Sequence, residues 1–252
     1  MSSSSSIPAK KKAKHDIATT NPNWLELPRD ITSNILQRLG AVEILTNVRN
    51  VCPCWWNICK DPSMWRNIQM GTFHLYFDPD RLVKMCQHAV DLSSGHLEKI
   101  HIYRFGTDDL LHYIADRASN LRSIHLYSCI RISDEGLCEV AKKFPFLEEV
   151  DISNGFQSPK SLEVIGQSCP LLKSLTYYGM SYFTWDHAAF VIANTMPGLR
   201  HLDIHGNRLT DVGLIAILDG CPLLESLDIR GCSNLEFSGN LWKRLHNQIK
   251  DL

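Results

Sequence analysis

The sequence has no long hydrophobic run and no strong net charge. Its apolar runs extend over a few residues only, far short of the roughly 20 that a membrane-spanning helix needs. The N-terminus is polar and lysine-rich with no apolar stretch behind it, so we expect no secretory signal. A formal net charge of −1 over 252 residues does not favour binding to nucleic acid or to an anionic membrane. These absences favour a globular protein of the cytosol or nucleus.

Recognisable chemistry is also scarce. The nine cysteines are an odd number, which indicates reduced thiols and not a disulfide framework. Cys52, Cys54 and Cys59 fit no common zinc-site spacing, and we interpret them as packing residues. No two of the eleven histidines stand at zinc-ligand spacing with a third nearby, and no phosphate loop, nucleophile elbow or dinucleotide motif is present. We predict a protein without enzymatic activity, cofactor or metal.

Composition divides the chain into three parts. Residues 1–22 are rich in serine and lysine, which predicts a disordered tail. Its basic cluster is either a nuclear import signal or an ordinary solvated tail, and it consists of Lys10, Lys11, Lys12 and Lys14. Residues 23–64 place apolar side chains three and four apart and contain tryptophans, which predicts a unit of three short helices. About 40 residues are too few for secure independent stability, so this unit should lean on another surface.

The remainder, residues 65–252, repeats itself. Six copies of a strand pattern begin 24 to 27 residues apart, with apolar residues at their first, fourth and sixth positions: LEKIHI at 97, LRSIHL at 121, LEEVDI at 147, LKSLTY at 172, LRHLDI at 199 and LESLDI at 224. A degenerate earlier copy begins at Trp65. This period is that of leucine-rich repeats. We predict an α/β fold, a curved solenoid with short parallel strands on its concave face and helices on its convex face.

Each repeat also carries a start and a stop for its helix. A hydroxyl residue follows each strand and predicts a helix N-cap, at Thr107, Ser133, Ser158, Thr184 and Thr210. A proline closes the later helices before the next strand. Cys129, Asn207 and Cys232 take the ninth position, where we expect a side chain that turns inward and bonds to backbone. Cys169 and Cys221 precede closing prolines and should be buried and inert.

The concave face follows from strand alternation, because the third, fifth and seventh residues of each repeat point away from the core. Ser123 and Ser153 belong to this set. We predict a face that binds a protein or peptide of mixed charge, with the tyrosines as anchors. Its candidate residues are His101, Tyr103, His125, Tyr127, Glu149, Asp151, Tyr178, His201, Asp203, His205, Asp228 and Arg230. Tyr182 and Phe183 are candidates for a protruding recognition loop.

The first helical unit resembles an F-box. The resemblance rests on Leu27-Pro28, Ile31, Ile35-Leu36, Leu39, Val51-Cys52, Trp55, Asp61-Pro62 and Trp65. The repeats, with their C-P-x-L ends, resemble the cysteine-containing leucine-rich repeats that often follow an F-box. Together, from about residue 24 to 247, the chain is similar to plant F-box/leucine-rich-repeat proteins of the Skp-interacting type. Pro53 departs from the pattern but suits the start of a helix.

The resemblance implies a mechanism by proximity. The F-box would bind a Skp-type adaptor and through it a cullin–RING ligase, while the repeats hold the protein to be ubiquitinated. The residues implied for adaptor binding are Leu27, Pro28, Ile31, Ile35, Leu36, Leu39, Val48, Val51 and Trp55.

Two alternatives stay open. One is a scaffold protein that works outside any ligase. The other is a small-molecule co-receptor that uses Lys99, His101 and Arg104 as a basic group. The last repeat shows no evident polar cap before Leu252, so we also expect a shortened family member with a weakly covered C-terminal edge.

Overall fold

A computed structural model describes residues 26–71, 78–179 and 185–252. At Gly179 and Trp185 it describes the backbone alone. The predicted tail, the predicted N-cap at Thr184 and the aromatic residues Tyr182 and Phe183 lie outside the described residues. Within the described ranges, no helix is both long enough and apolar enough to cross a membrane.

The described chain alternates helices and strands. The strands are β1 (Asn67–Gly71), β2 (Lys99–Tyr103), β3 (Ser123–Tyr127), β4 (Glu149–Gly155), β5 (Ser174–Gly179), β6 (His201–Asp203) and β7 (Ser226–Asp228). The helices are α1 (Arg29–Leu36), α2 (Ala41–Thr46), α3 (Pro53–Cys59), α4 (Pro79–Leu92), α5 (Asp108–Ala115), α6 (Asp134–Ala141), α7 (Pro159–Ser168), α8 (Trp185–Thr195), α9 (Asp211–Gly220) and α10 (Leu241–Gln248). Short 3-10 helices at Val48–Asn50 and Pro62–Trp65 complete the first unit.

The strands form one parallel sheet in sequence order, which confirms the predicted solenoid. Equivalent repeat positions pair directly, as Ile100 does with Ile124 and His101 with His125. The degenerate first copy also forms a strand of this sheet, because Ile68 pairs with Ile100 and Met70 with Ile102. A parallel sheet in which consecutive strands are neighbours is what stacking of similar strand–helix units produces.

The core runs through the whole described chain as one cluster of buried side chains. The first, fourth and sixth repeat positions fill it, and in the repeat at 97 these are Leu97, Ile100 and Ile102, all at most 1% exposed. The helical unit joins the same cluster through Trp65, whose indole Nε1 donates a 2.8 Å hydrogen bond to the Cys59 carbonyl. The small unit therefore leans on the repeats, as its size requires.

The predicted N-caps are confirmed where the structure describes them. The hydroxyl oxygens of Thr107, Ser133, Ser158 and Thr210 each accept a hydrogen bond from a backbone N–H in the first turn of the helix that follows. These bonds satisfy donors that a helix start otherwise leaves unpaired.

A second set of bonds at the helix starts links one repeat to the next, and the repeat pattern does not predict it. An aspartate in the first turn of one helix accepts a hydrogen bond from the backbone N–H of the next capping residue. The three cases are Ser133 N to Asp108 at 2.8 Å, Ser158 N to Asp134 at 2.8 Å and Thr210 N to Asp186 at 3.0 Å. Each aspartate thus ties neighbouring repeats together on top of their shared core.

Glycines make this contact sterically feasible. A Cβ at Gly136 would lie 2.3 Å from the Asp108 carboxylate, and one at Gly213 would lie 2.4 Å from Asp186. Both distances are far inside van der Waals contact, so a side chain at either position would push the aspartate away from its hydrogen-bond partner.

The C-terminal edge differs from the prediction. The amphipathic helix α10 packs Leu241 and Leu245 into the core, and the chain then returns beside β7. There the backbone N–H of Leu227 donates a 3.0 Å hydrogen bond to the Asp251 carbonyl. The last strand edge is therefore partly covered by the chain itself, a protection that exposed edges generally need.

Candidate functional site: an apolar helical surface and a polar concave face

The residues implied for adaptor binding divide into two groups. Leu27, Ile31, Leu39 and Val51 are 38%, 43%, 39% and 60% exposed, respectively, and Pro28 is exposed as well. Leu27, Ile31 and Ile35 follow one another at intervals of four, so they share one face of α1 and its entry. We call the exposed set, Leu27, Pro28, Ile31, Leu39 and Val51, the apolar surface of the helical unit.

The second group is a correction. Leu36 and Val48 are only 1% and 4% exposed, so they cannot contact a partner and instead form the core beneath the apolar surface. Ile35 and Trp55 are half-buried and bridge the two groups. The pattern of apolar residues alone could not separate them, because both faces of a small helix in an interface are apolar.

Ion pairs and hydrogen bonds hold the surface in place. The Arg29 guanidinium lies 3.0 Å from the Asp61 carboxylate, and Gln37 donates to the Ser63 carbonyl at 3.2 Å. These contacts tie α1 to the segment after α3, on which it packs. Hydrogen bonds from Ser63 and from Arg29 hold the pKa of Asp61 below its usual range, so its charge is present at neutral pH.

The concave face carries ordered rows of side chains. In-register parallel strands put equivalent residues about 4.8 Å apart, which is a stacking distance for rings. His101 stacks on His125 at 4.0 Å between centroids, Tyr103 on Tyr127 at 4.8 Å, and Tyr178 on His205 at 4.9 Å. The Arg104 guanidinium lies 5.1 Å from the Tyr103 ring centroid. The predicted tyrosines are thus held in stacked pairs, and Tyr127 is 39% exposed.

The middle of this face is acidic around one histidine. His125 Nδ1 lies 3.5 Å from Asp151 Oδ2, and His125 Nε2 lies 3.2 Å from Glu149 Oε1, a contact that lacks hydrogen-bond alignment. Burial alone would lower the pKa of His125, but attraction by Asp151 and Glu149 outweighs it and the pKa is raised. Burial and the neighbouring His125 lower the pKa of His101. The pKa values of the two stacked imidazoles are thus shifted in opposite directions.

Two smaller residues of the concave face, Ser123 and Ser153, are buried. Ser123 and Ser153 are 1% and 7% exposed, although their positions point away from the core. The Ser123 hydroxyl donates to Glu149 at 2.8 Å, and the Ser153 hydroxyl donates to Asp151. These hydroxyls orient the carboxylates and do not offer contact area.

The last rows pair carboxylates with basic side chains. Asp203 lies 2.6 Å from His205, and Asp228 accepts from the Arg230 guanidinium through both oxygens. These hydrogen bonds lower the pKa of Asp228. Within the described part of the chain, Asp203, His205 and Asp228 are also the group whose ligand atoms lie close enough to share a metal ion. Arg230 already neutralises Asp228, so we assign no metal to this group. His201 is exposed at the start of β6.

The cysteines are structural with one exception. Cys129 donates to the Ile102 carbonyl at 3.5 Å and Cys232 to the Ile204 carbonyl at 3.5 Å, as predicted for the ninth repeat position. Burial raises the pKa of Cys169 to about 12 and of Cys221 to about 11, which keeps both as unreactive thiols. Cys54 is exposed, so the prediction that it packs is wrong: it lies on the outer side of α3.

The fold and these two surfaces define a class: a leucine-rich-repeat solenoid that begins with a compact helical unit. An F-box-like family model matches residues 24–70, and a leucine-rich-repeat model matches residues 197–218. F-box protein SKIP19 of Arabidopsis thaliana is 48% identical over 99% of this chain and 81% of its own length. The chain belongs to the F-box/leucine-rich-repeat protein family.

Other similarities agree. Putative F-box/LRR-repeat protein 23 of Arabidopsis thaliana is 48% identical over 91% of this chain, and the match spans only 53% of that relative's length. Among solved structures, yeast Rad7 in its complex with Elc1 has a TM-score of 0.58 at 18% identity, covering 83% of this chain and 51% of that one. The latter similarity concerns the fold alone.

Proposed function

We propose that the chain is the substrate-recognition subunit of an SCF-type E3 ubiquitin-protein ligase, in which it supplies no catalytic residue. The observation that carries the proposal is the apolar surface of the helical unit. Exposed leucine, isoleucine and valine side chains concentrated on a unit of about 40 residues cost free energy in water. Burial on a Skp-type adaptor would recover that cost.

Family membership supports this assignment. The matching family models are an F-box and a leucine-rich repeat, whose members normally act as non-catalytic adaptors. The structural neighbour Rad7 was crystallised with a second protein, Elc1, which is consistent with a solenoid that works in a complex. The chain would then contribute only proximity. It would hold the target near the ubiquitin carried by the ligase and so raise the effective concentration of the two reactants. The result would be ubiquitination and proteasomal degradation of the target.

We assign target binding to the concave face. Stacked tyrosines at one end and carboxylates at its centre offer aromatic anchors beside directional polar groups. Lys99, His101 and Arg104, the basic group that a small-molecule co-receptor would need, lie beside these tyrosines, and Arg104 is already positioned over Tyr103. A protein target is therefore the occupant that we favour for this face.

A matched pair of substitutions tests adaptor binding. Val51 and Val212 are both 60% exposed, so Val51→Asp and Val212→Asp cost the fold similarly little. We expect Val51→Asp, and likewise Leu27→Ala with Pro28→Ala, to reduce adaptor capture in a pull-down by about tenfold or more, because an interface buries a charge or loses its anchor. Val212→Asp should bind as the wild type does. Equal binding by both valine variants would refute the proposed surface.

The ligase role itself needs a separate test. Affinity purification from cells with the cullin pathway inhibited should recover ubiquitination targets, and an F-box variant should accumulate them without adaptor or cullin. Co-purification of the adaptor without any cullin would instead favour a scaffold outside a ligase.

Nuclear localisation is a further part of the proposal and rests on the lysine cluster at residues 10–14. Exchange of Lys10, Lys11, Lys12 and Lys14 for glutamine should move a fluorescent fusion out of the nucleus. An unchanged distribution would remove this part and leave the rest of the proposal intact.

A further inference from the structure

A basic cleft lies where the helical unit meets α4. It consists of two adjoining hollows, of about 390 and 130 Å³, that share Leu45, Arg49 and His88 in their walls. The larger hollow opens between α2 and α4 and is flanked by Arg81 and Lys84. The smaller one lies deeper, against α3 and the 3-10 helix that ends at Trp65.

The cleft concentrates positive charge. Its permanently charged side chains include Arg49, Lys60 and Lys84, and none of the described residues that line it is acidic. Three acidic residues on the flanking segments are paired elsewhere: Asp61 with Arg29 at 3.0 Å, Asp80 with Arg131 at 3.6 Å and Asp91 with Arg117 at 3.2 Å. The cleft therefore keeps a local positive field although the chain as a whole has a net charge of only −1.

Arg49 is the side chain that points most directly to a ligand. Its Nε is buried and donates no hydrogen bond to any residue in the described ranges. Its guanidinium carbon lies 5.7 Å from the Trp56 ring centroid, and Lys60 Nζ lies 4.6 Å from the same centroid. A buried donor without an acceptor costs free energy, and two cations on one ring repel each other. A bound anion beside the two cations would offset their repulsion.

The deeper hollow is apolar. Its walls include Leu45, Cys59, Trp65 and Leu92, with Trp56 at its mouth. Its volume of about 130 Å³ is close to the roughly 150 Å³ of an apolar cavity that accepts a benzene-sized ring. One bulky apolar side chain fits such a hollow. The exposed cations around the larger hollow can instead pair with acidic groups that stay in contact with water.

We propose that this cleft binds an acidic peptide segment of a partner protein and receives one bulky apolar side chain of that segment in the deeper hollow. Charge complementarity identifies the occupant. The chain's own residues 1–22 are excluded, because that segment carries four lysines and one aspartate and would be repelled. A small anion would satisfy Arg49 but would leave the apolar hollow unused.

The proposal is independent of adaptor binding. None of the residues that line the cleft belongs to the set implied for the adaptor. Loss of one interaction with retention of the other therefore distinguishes the two assignments.

The test uses the full chain and three fluorescein-labelled peptides. The probe alternates aspartate and glutamate around one phenylalanine; the second peptide has alanine in place of phenylalanine, and the third has lysines in place of the acids. Fluorescence anisotropy should show binding of the first peptide, several-fold weaker binding of the second and none of the third.

Two double variants with the same change of charge locate the site. Lys60→Glu with Lys84→Glu reverses two exposed cations of the cleft, and Lys142→Glu with Lys160→Glu reverses two exposed lysines, one directly after α6 and one on α7. The first double variant should bind the probe about tenfold or more weakly than the wild type. The second should bind it with an affinity near that of the wild type. Equal losses in both, no binding by the wild type, or equal affinity for the phenylalanine and alanine peptides would overturn the proposal.

Discussion

The helical unit and the repeats display surfaces of opposite character. Residues 26–65 turn leucine, isoleucine and valine side chains outward, and no regular row of charges accompanies them. The repeats hide nearly every such side chain on the concave side and turn rings and carboxylates outward in rows. Apolar surfaces suit lasting association, whereas polar rows suit selective and reversible contact. The comparison therefore supports the proposal that the helical unit takes a lasting partner and the concave face an exchangeable one.

The two regions are also held together differently. The helical unit shares the core of the repeats, and its largest fully buried side chain there is Trp65. Neighbouring repeats are joined by the same aspartate contact several times over, at Asp108, Asp134 and Asp186. We therefore expect a substitution at Trp65 to lower the stability of the chain strongly. A substitution at one of the three aspartates should weaken only one of several equivalent contacts.

The largest expected effect is at the junction. Trp65→Ala removes a side chain that is 1% exposed and should lower the free energy of unfolding by about 3–5 kcal/mol. Trp65→Phe keeps most of the volume and loses the hydrogen bond to Cys59, at a cost of about 1 kcal/mol for that bond. Urea unfolding of both variants measures the difference. An unchanged midpoint for Trp65→Ala would show that the helical unit does not depend on this contact.

An intermediate effect is expected between repeats. Asp108→Ala removes the acceptor of two bonds from Ser133, one from the backbone N–H at 2.8 Å and one from the hydroxyl at 2.7 Å. It should destabilise the protein by about 1–3 kcal/mol.

Asp109→Ala is the matched control for this prediction. Asp109 is exposed in the same first turn of α5, so both variants lose the same interaction with the helix dipole. The control should cost no more than about 1 kcal/mol. Equal destabilisation in thermal unfolding would show that the aspartate contact between repeats contributes nothing.

The smallest effect concerns the concave face and depends on pH. The pKa of His125 is raised in the folded chain, so its stabilising contribution is complete below the ordinary value of about 6.5 and is lost as pH rises through the folded value. His125→Gln should therefore destabilise the chain more at acidic pH than at alkaline pH.

NMR titration measures the same effect directly. The midpoint of His125 should lie above that of a free histidine and the midpoint of His101 below it. Asp151→Asn should lower the His125 midpoint, because it removes one of the two attracting charges. An unchanged His125 midpoint in Asp151→Asn would contradict the claim that neighbouring strands of the concave face interact electrostatically.

Much of the fold follows from periodicity. Apolar residues at the first, fourth and sixth positions predict strand register as far back as Ile68 and Met70, and the hydroxyl residues predict the helix starts. These features are local, or they repeat at a constant interval, so each copy reinforces the others. The concave rows could be predicted for the same reason, because alternation along a strand decides which residues share a face.

The sites were less predictable. Leu36 and Leu27 are equally apolar in sequence, yet one is core and the other is surface. Ser123 lies on the predicted concave face but is buried. The basic cleft joins Arg49 and Lys84, which are 35 positions apart in the chain. No periodic signal connects these two residues, because they belong to different structural units.

The sequence by itself determined the solenoid, the helix caps and the family, since each rests on patterns that recur at one interval or within one short motif. Only the tertiary structure decided which apolar residues of the helical unit face outward, how aspartates cross from repeat to repeat, and that Arg49, Trp56 and Lys84 meet in one cleft. The reason is physical. Local patterns set the backbone, but exposure and charge at a surface depend on which distant segments pack beside it.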